Sequence, residues 1–325
     1  MKFLKRFCKS LVWLIAFGLV MWVFRATPLS EIWAVLQTLT LWQILIILIV
    51  NSGILFMFGL RWWLILKAQG YPIPYLAIMR YRLASFGVSY FTPGPQFGGE
   101  PLQVYYLKEY HSVPTEIGVA AIALDKLFEL LANLTFLVFG ISVLLNTELA
   151  GGWMKDNSLF ISLGLLVPPI VFLGLLGKGV LPISSIGGKV LGAISGWERF
   201  GKSVHAAETE MSQFLRNSPN VIGTVLVASG LVWGALIFEY WLMIKFLGLA
   251  LTITQVIIII TAARIAFLTP LPGALGALEA SQIAAMQVLG FPLVVGVSLA
   301  LLIRTRDVIF GMIGLIWGGI LTKKF

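Results

Sequence analysis

One cysteine, two histidines and a charged fraction of 11% leave this 325-residue chain short of the groups that soluble enzymes use. The lone Cys8 cannot form an internal disulfide, and no cysteine-based metal site can be built around it. His111 and His205 both fall in segments read as cytoplasmic, so no histidine triad or metal cluster is expected at membrane depth. There is no GxSxG or P-loop signature, and the glycine-rich stretches lack the strand context of a nucleotide fold. No cofactor is implied, no nucleophile is supplied, and the expectation is a protein that is not an enzyme. No segment reads as a soluble domain, which argues against an ATP-driven pump. Acidic residues are scarce too, 14 against 23 basic ones, a net charge of +9. In an apolar chain that excess reflects basic loops facing anionic lipid rather than nucleic acid.

What the chain has is hydrophobicity: 59% of residues are apolar and the mean hydropathy is +0.95. Several apolar runs reach about 20 residues, the length that crosses a bilayer core. They are continuous rather than alternating, which excludes a β-barrel. The fold expected is an all-α polytopic membrane protein with six transmembrane helices plus two re-entrant helical hairpins. Lys2, Lys5, Arg6 and Lys9 precede an apolar run that ends in Met21-Trp22-Val23-Phe24-Arg25 without a small-residue cleavage site. This reads as a retained first span, residues 10–25, with its N-terminus inside.

Spans then follow at about 39–66, 114–146, 159–176, 221–247 and 292–321. The second closes on an interfacial belt of Arg61, Trp62, Trp63 and Lys67, and Pro168-Pro169 is expected to kink the fourth. Residues 178–216 form the one long polar connector, read as a cytoplasmic amphipathic or surface helix. This topology leaves Arg25, Lys155 and Lys245 outside and Lys126, Arg264, Arg304 and Arg306 in apolar segments, so 16 of the 23 basic residues are cytoplasmic. Both termini lie inside, in the cytoplasmic membrane.

One pattern occurs twice. Pro93-Gly94 is followed by Glu100, Lys126 and Glu129; Pro272-Gly273 is followed by Glu279, Arg304 and Asp307. Each copy breaks an apolar segment and puts a carboxylate seven residues after the proline. The carboxylate-to-cation gap is 26 residues in one copy and 25 in the other. Broken helices and charges are costly in lipid, so a duplicated set marks a functional site by default. Each break is read as a hairpin tip, the first dipping in from the cytoplasm and the second from outside. Three spans separate them, so the copies face opposite ways: repeat 1 at about 39–146, repeat 2 at about 221–325, an inverted repeat about an axis in the membrane plane.

The second half-helix of each hairpin starts at its tip, so free N–H groups and the positive dipole end point toward the bilayer centre. Two such ends make an anion site. Gly94, Gly98 and Gly99 in one tip, and Gly273 and Gly276 in the other, allow close backbone approach. Glu100 and Glu279 sit in the first turn after their breaks, where they either cap free N–H groups, a gain of about 0.3–1 kcal/mol, or face a ligand or proton. Lys126 with Glu129 and Arg304 with Asp307 are i,i+3 pairs, read either as neutralised locks or as the wall of a shared cavity. A charge at the bilayer centre costs about 2.5–3.5 kcal/mol on insertion scales, so pairing is expected in both cases. Arg82 and Arg264 precede their breaks by 11 and 8 residues and are further candidates for that cavity. Glu239 is read as interfacial.

Taken together, Pro93-Gly94 through Gly98-Gly99-Glu100, Leu124-Asp125-Lys126, Leu271-Pro272-Gly273-Ala274-Leu275-Gly276 through Glu279, and Arg304 resemble the lysylphosphatidylglycerol synthase transmembrane, or flippase, family. The similarity runs from about residue 10 to the C-terminus. The resemblance adds Asp125 to the candidate residues, and Lys126 stands where it leads one to expect arginine, with loss of bidentate phosphate gripping. It implies a role in moving, or helping to make, lipids with modified or charged head groups, including polyprenyl-phosphate-linked ones. The expected partners are a lipid with an anionic head group, the surrounding membrane lipids, and another copy of the chain or a lipid-modifying enzyme. The chain stops at Phe325, just after its last span, and is not expected to carry the aminoacyl transfer found in fused members. An intramembrane lipid-phosphate transferase or hydrolase, and a scaffold acting through residues 178–216, are the alternatives.

Overall fold

The computed structural model describes residues 37–92, 98–145, 163–185, 197–269 and 271–322, with residues 30, 33 and 34. The expected first span, the tip residues Pro93 and Gly94, the outer loop at 151–156 and residues 186–196 of the connector lie outside them. Among the described residues the regular structure is helical, with no strand. In chain order the helices are α1 Leu41–Ala68, α2 Tyr75–Phe91, α3 Glu100–His111, α4 Thr115–Leu145, α5 Val167–Gly177, α6 Trp197–Asn217, α7 Pro219–Phe246, α8 Ile253–Phe267, a 3-10 turn Pro272–Ala274, α9 Ala277–Val288 and α10 Leu293–Thr322.

Local chemistry fixes these limits. Thr40 caps α1 in a capping box with Gln43, and Thr252 caps α8 in the same way with Gln255. α7 opens with proline in its first turn, where the missing N–H costs nothing. α1 and α7 both run into a glycine with positive φ, Gly70 at 90° and Gly248 at 87°, a conformation that a side chain would strain. Pro168 and Pro169 lie in the first turn of α5, and a turn at 165–166 separates it from helical residues 163–164, a break beside the two prolines.

α1, α4 and α7 are long and apolar enough to cross a membrane, and α5 and α8 are shorter apolar helices. α10 has 30 residues but carries Arg304, Arg306 and Asp307 near its middle. Two cores hold the bundle. One gathers Trp62, Leu66, Ile78, Leu107 and Leu124 from α1–α4 with Met211 and Phe214 of α6. The other gathers Tyr240, Ile244, Ile259, Leu278, Met286 and Leu299 from α7–α10. The polar connector therefore holds an amphipathic helix, as expected, with its apolar face packed into the first core. Glu208 of α6 is buried and accepts hydrogen bonds from the Ile183 and Ser184 N–H groups at 2.8 Å each.

Across the two cores, α1 packs on α7, α2 lies along α10, and α4 packs on α8. In lipid, where apolar burial between helices gains little, close packing and polar contacts hold such pairs. The α2–α10 seam is the tightest: a Cβ on Gly87 or Gly314 would overlap the backbone of the facing helix. On α4, a Cβ on Gly140 would instead meet the side chain of Thr261 from α8.

Candidate functional site

Five cation–carboxylate contacts gather where α1, α2 and α4 meet. Asp125 lies between two arginines, 2.5 Å from Arg61 Nε and 2.6 Å from Arg82 Nη1. Glu129, one turn along α4, receives Arg61 at 3.3 Å, Arg82 at 3.4 Å and Lys126 at 3.3 Å. Phe58 presents its ring to both guanidinium groups. Lys126 also reaches Glu100 at 3.6 Å. Glu100 accepts a hydrogen bond from the Gly98 N–H at 2.8 Å, and Gly99 donates to Ser89 at 2.9 Å. Gly99 sits against the Ser85 carbonyl, where no side chain would fit.

The second half is organised differently. Glu279 caps α9 by accepting from the Gly276 N–H at 2.9 Å, and Arg304 grips both of its carboxylate oxygens. The Arg304 guanidinium also donates to the carbonyls of Gly273 at 3.0 Å and Ala274 at 2.9 Å. Arg304 is thus the clamp that holds the second tip in its turn, where Gly273 and Gly276 have φ of 52° and 78°. Asp307 does not pair with Arg304 as the spacing suggested. It pairs with the adjacent Arg306 at 2.9 Å, and Arg306 also meets Glu239 of α7 at 2.7 Å. That last contact is ionic, its angle being poor for a hydrogen bond.

Two sequence expectations are corrected by burial. Glu239 is not interfacial: it is 0% exposed and takes a hydrogen bond from Asn51 at 2.9 Å. Arg61 is not part of a surface belt but 2% exposed, paired with Asp125, while Trp62 beside it is fully buried. A charge taken out of water or headgroups must be matched, and both residues find their match on a distant helix. His111 lies away from these clusters, on the Tyr81 hydroxyl at 2.9 Å, and burial lowers its pKa.

A register links the two halves. Lys126 and Arg304 are 178 residues apart, and so are Glu129 and Asp307, Arg61 and Glu239, Asn51 and Ser229, and Gly70 and Gly248. The contacts follow it. Arg61 donates to Ser229 at 3.4 Å, and Asn51 donates to Glu239, so the same two places meet twice with the helices exchanged. Ile54 and Val232, again 178 apart, are buried in one cluster along the α1–α7 seam. This register is present in the sequence, and it was the signal for Arg61 and Glu239.

Between the halves lies a cavity of about 520 Å³. Arg82, Lys126, Glu100 and Glu129 of the first half line it with Arg264, Arg306 and Asp307 of the second. Its remaining wall is largely apolar and includes Phe86, Phe310 and Trp317. Of the other sequence candidates, Asp125 sits behind Arg82, Arg304 and Glu279 hold the second tip, and Gly94 lies outside the described residues. Among the described residues no group of three or more His, Cys, Asp or Glu side chains is placed to hold a metal ion.

Comparison with known proteins places the chain among membrane proteins. The family model described as the lysylphosphatidylglycerol synthase TM region matches residues 10–314. A protein of Methanothermobacter thermautotrophicus named "UPF0104 membrane protein" is 32% identical over 105 residues, which is 32% of this chain and 28% of that protein. The chain thus aligns with under a third of that relative's length. No solved structure matches.

Proposed function

The chain belongs to the lysylphosphatidylglycerol synthase TM region family, and from that premise we propose that it moves a lipid with an anionic or modified head group, or a polyprenyl-phosphate-linked lipid, across the cytoplasmic membrane. The observation that carries this reading is the cavity between the halves, whose wall combines cations of both halves with aromatic side chains. A charged head group and an apolar chain need such a pairing of surfaces. In water a cavity of this kind would be ordinary; among helices long and apolar enough to cross a membrane, every charge on its wall must be matched or used.

The architecture we infer is six spans and two re-entrant hairpins arranged as an inverted repeat, residues about 39–146 against about 221–325, joined through 178–216, with both termini cytoplasmic. The shared 178-residue register and the exchanged Arg61–Ser229 and Asn51–Glu239 contacts support it. Alternating exposure would then come from one repeat rocking on the other about the α1–α7 seam. The scaffold alternative is hard to isolate by deleting the connector, since α6 contributes Met211 and Phe214 to a core.

The test is a flip assay in proteoliposomes with a fluorescent phosphatidylglycerol, comparing the native chain with Glu279→Gln and Arg304→Ala. Loss of the second-tip clamp should slow flipping at least tenfold. Native-like rates in both variants would remove the tips from the mechanism. A native chain that moves no lipid but releases a covalently altered one would favour the lipid-phosphate transferase instead. Cysteine labelling at positions 95 and 275 from a single aqueous side would sink the inverted repeat.

A further inference from the structure

The register that pairs the halves carries no carboxylate opposite Asp125. Asp125, the carboxylate bridging Arg61 and Arg82, corresponds 178 residues on to Ile303, which is fully buried and apolar. Arg264 on α8 and Arg82 on α2 each lie less than four helical turns before a Pro-Gly break, although the register itself pairs Arg82 with Ile260. Arg82 has Asp125 and Glu129 for partners. Arg264 has no ion pair among the described residues, and its buried Nε has no hydrogen-bond partner there. One face of its guanidinium lies on the Trp233 ring, 4.8 Å from the centroid, and it borders the cavity.

A buried donor without an acceptor is costly, and an arginine in an apolar helix more so. Stacking on tryptophan offsets part of that cost and fixes the plane of the group. It leaves the in-plane N–H donors for an acceptor that enters by the cavity. Three of the other cavity cations are already matched, and Arg80, which also borders the cavity, is exposed. Arg82 and Lys126 are held by Asp125, Glu129 and Glu100, and Arg306 by Glu239 and Asp307.

We propose that Arg264 is the residue that grips the head group, and that the group it grips is a singly charged lipid phosphodiester standing where the second half lacks the carboxylate of Asp125. The inference rests on the transport reading for the route by which lipid arrives, but the binding it asserts is measurable without transport. One guanidinium without a carboxylate on its own donors can take up one phosphate charge. A phosphomonoester with two charges would bring the second toward Glu129 and Asp307 on the same wall, and the remaining cavity cation outside the ion pairs, Arg80, is exposed and already solvated. The planar guanidinium suits two phosphate oxygens at once. The apolar wall toward Phe86, Phe310 and Trp317 is then the place for the chains, which a free phosphodiester would leave empty.

The test titrates full-length protein in maltoside micelles with dihexanoyl phosphatidylglycerol, dihexanoyl phosphatidic acid and dimethyl phosphate at pH 7.5. Thermal unfolding is followed in parallel. The native chain should bind phosphatidylglycerol at least tenfold more tightly than either other probe. Arg264→Gln should lose at least tenfold in that affinity while melting at or above the native temperature, because a cation with a buried, unpartnered Nε and no carboxylate has been removed. Arg264→Lys, which keeps the charge, should recover part of the binding. Undiminished binding by Arg264→Gln overturns the assignment, as does a lowered melting temperature with no recovery in the lysine variant, the mark of a structural residue. Tighter binding of phosphatidic acid overturns the charge count, and equal binding of dimethyl phosphate overturns the lipid. If Arg264-dependent binding holds and native protein still flips nothing, the transport reading fails and the site stands.

Discussion

The two halves of this molecule place three pairs of charges at the same register and use them differently. Position 61 is an arginine and its counterpart 239 a glutamate, yet each is buried and paired with the last helix of its own half, Arg61 with Asp125 and Glu239 with Arg306. Lys126 and its counterpart Arg304 both reach the carboxylate that follows their break. The lysine does so through a single 3.6 Å contact, and the arginine grips both oxygens and two tip carbonyls as well. The lesson is that the register specifies where a charge can be tolerated between the helices, and the sign is free to change if its partner changes too. A symmetric frame carrying asymmetric charge can bind something that neither half matches alone.

The strongest way to break the comparison is Asp125→Ala. It strands Arg61 and Arg82 on Glu129 alone and should cost about 3–5 kcal/mol, read as a large drop in melting temperature in micelles. Glu239→Ala removes one partner from Arg306 but leaves Asp307, so its loss should fall at or below the low end of that range, about 3 kcal/mol. Equal losses would mean that the bridge at Asp125 is worth no more than a single pair. Next comes packing between the halves. Gly314→Ala drives a methyl group into the Leu83 carbonyl across the α2–α10 seam and should cost about 1–3 kcal/mol, since backbone cannot step aside. Gly140→Ala meets only the Thr261 side chain across α4–α8 and should cost about 1 kcal/mol, part of which Thr261→Ala restores. If Gly140→Ala proves the more damaging of the two, the ranking of the seams is wrong.

Much of this was legible in the chain. The apolar runs of residues 41–68, 115–145, 219–246 and 293–322 are close to the spans expected, because runs that long and apolar have few alternatives. The amphipathic helix in the connector and the i,i+3 pair of Lys126 with Glu129 were also visible, as both depend on local spacing. The partners of Arg61 and Glu239 were not. Both look like interfacial charges near the end of a span, and only the meeting of α1 with α4 and of α7 with α10 buries them. Asp307 was assigned to Arg304 by spacing, but Arg304 is drawn off by Glu279 from another helix, leaving Asp307 to Arg306.

The sequence by itself determined that this is a helical membrane protein, where its helices run, and that it carries one broken, charged pattern twice. Those follow from composition and from interactions within a few residues along a helix. Which charge faces which, and that Arg264 borders the cavity with a buried Nε and no paired carboxylate among the described residues, was decided by tertiary structure. An ion pair between helices depends on distances across lipid-excluded space, and no spacing along the chain encodes those.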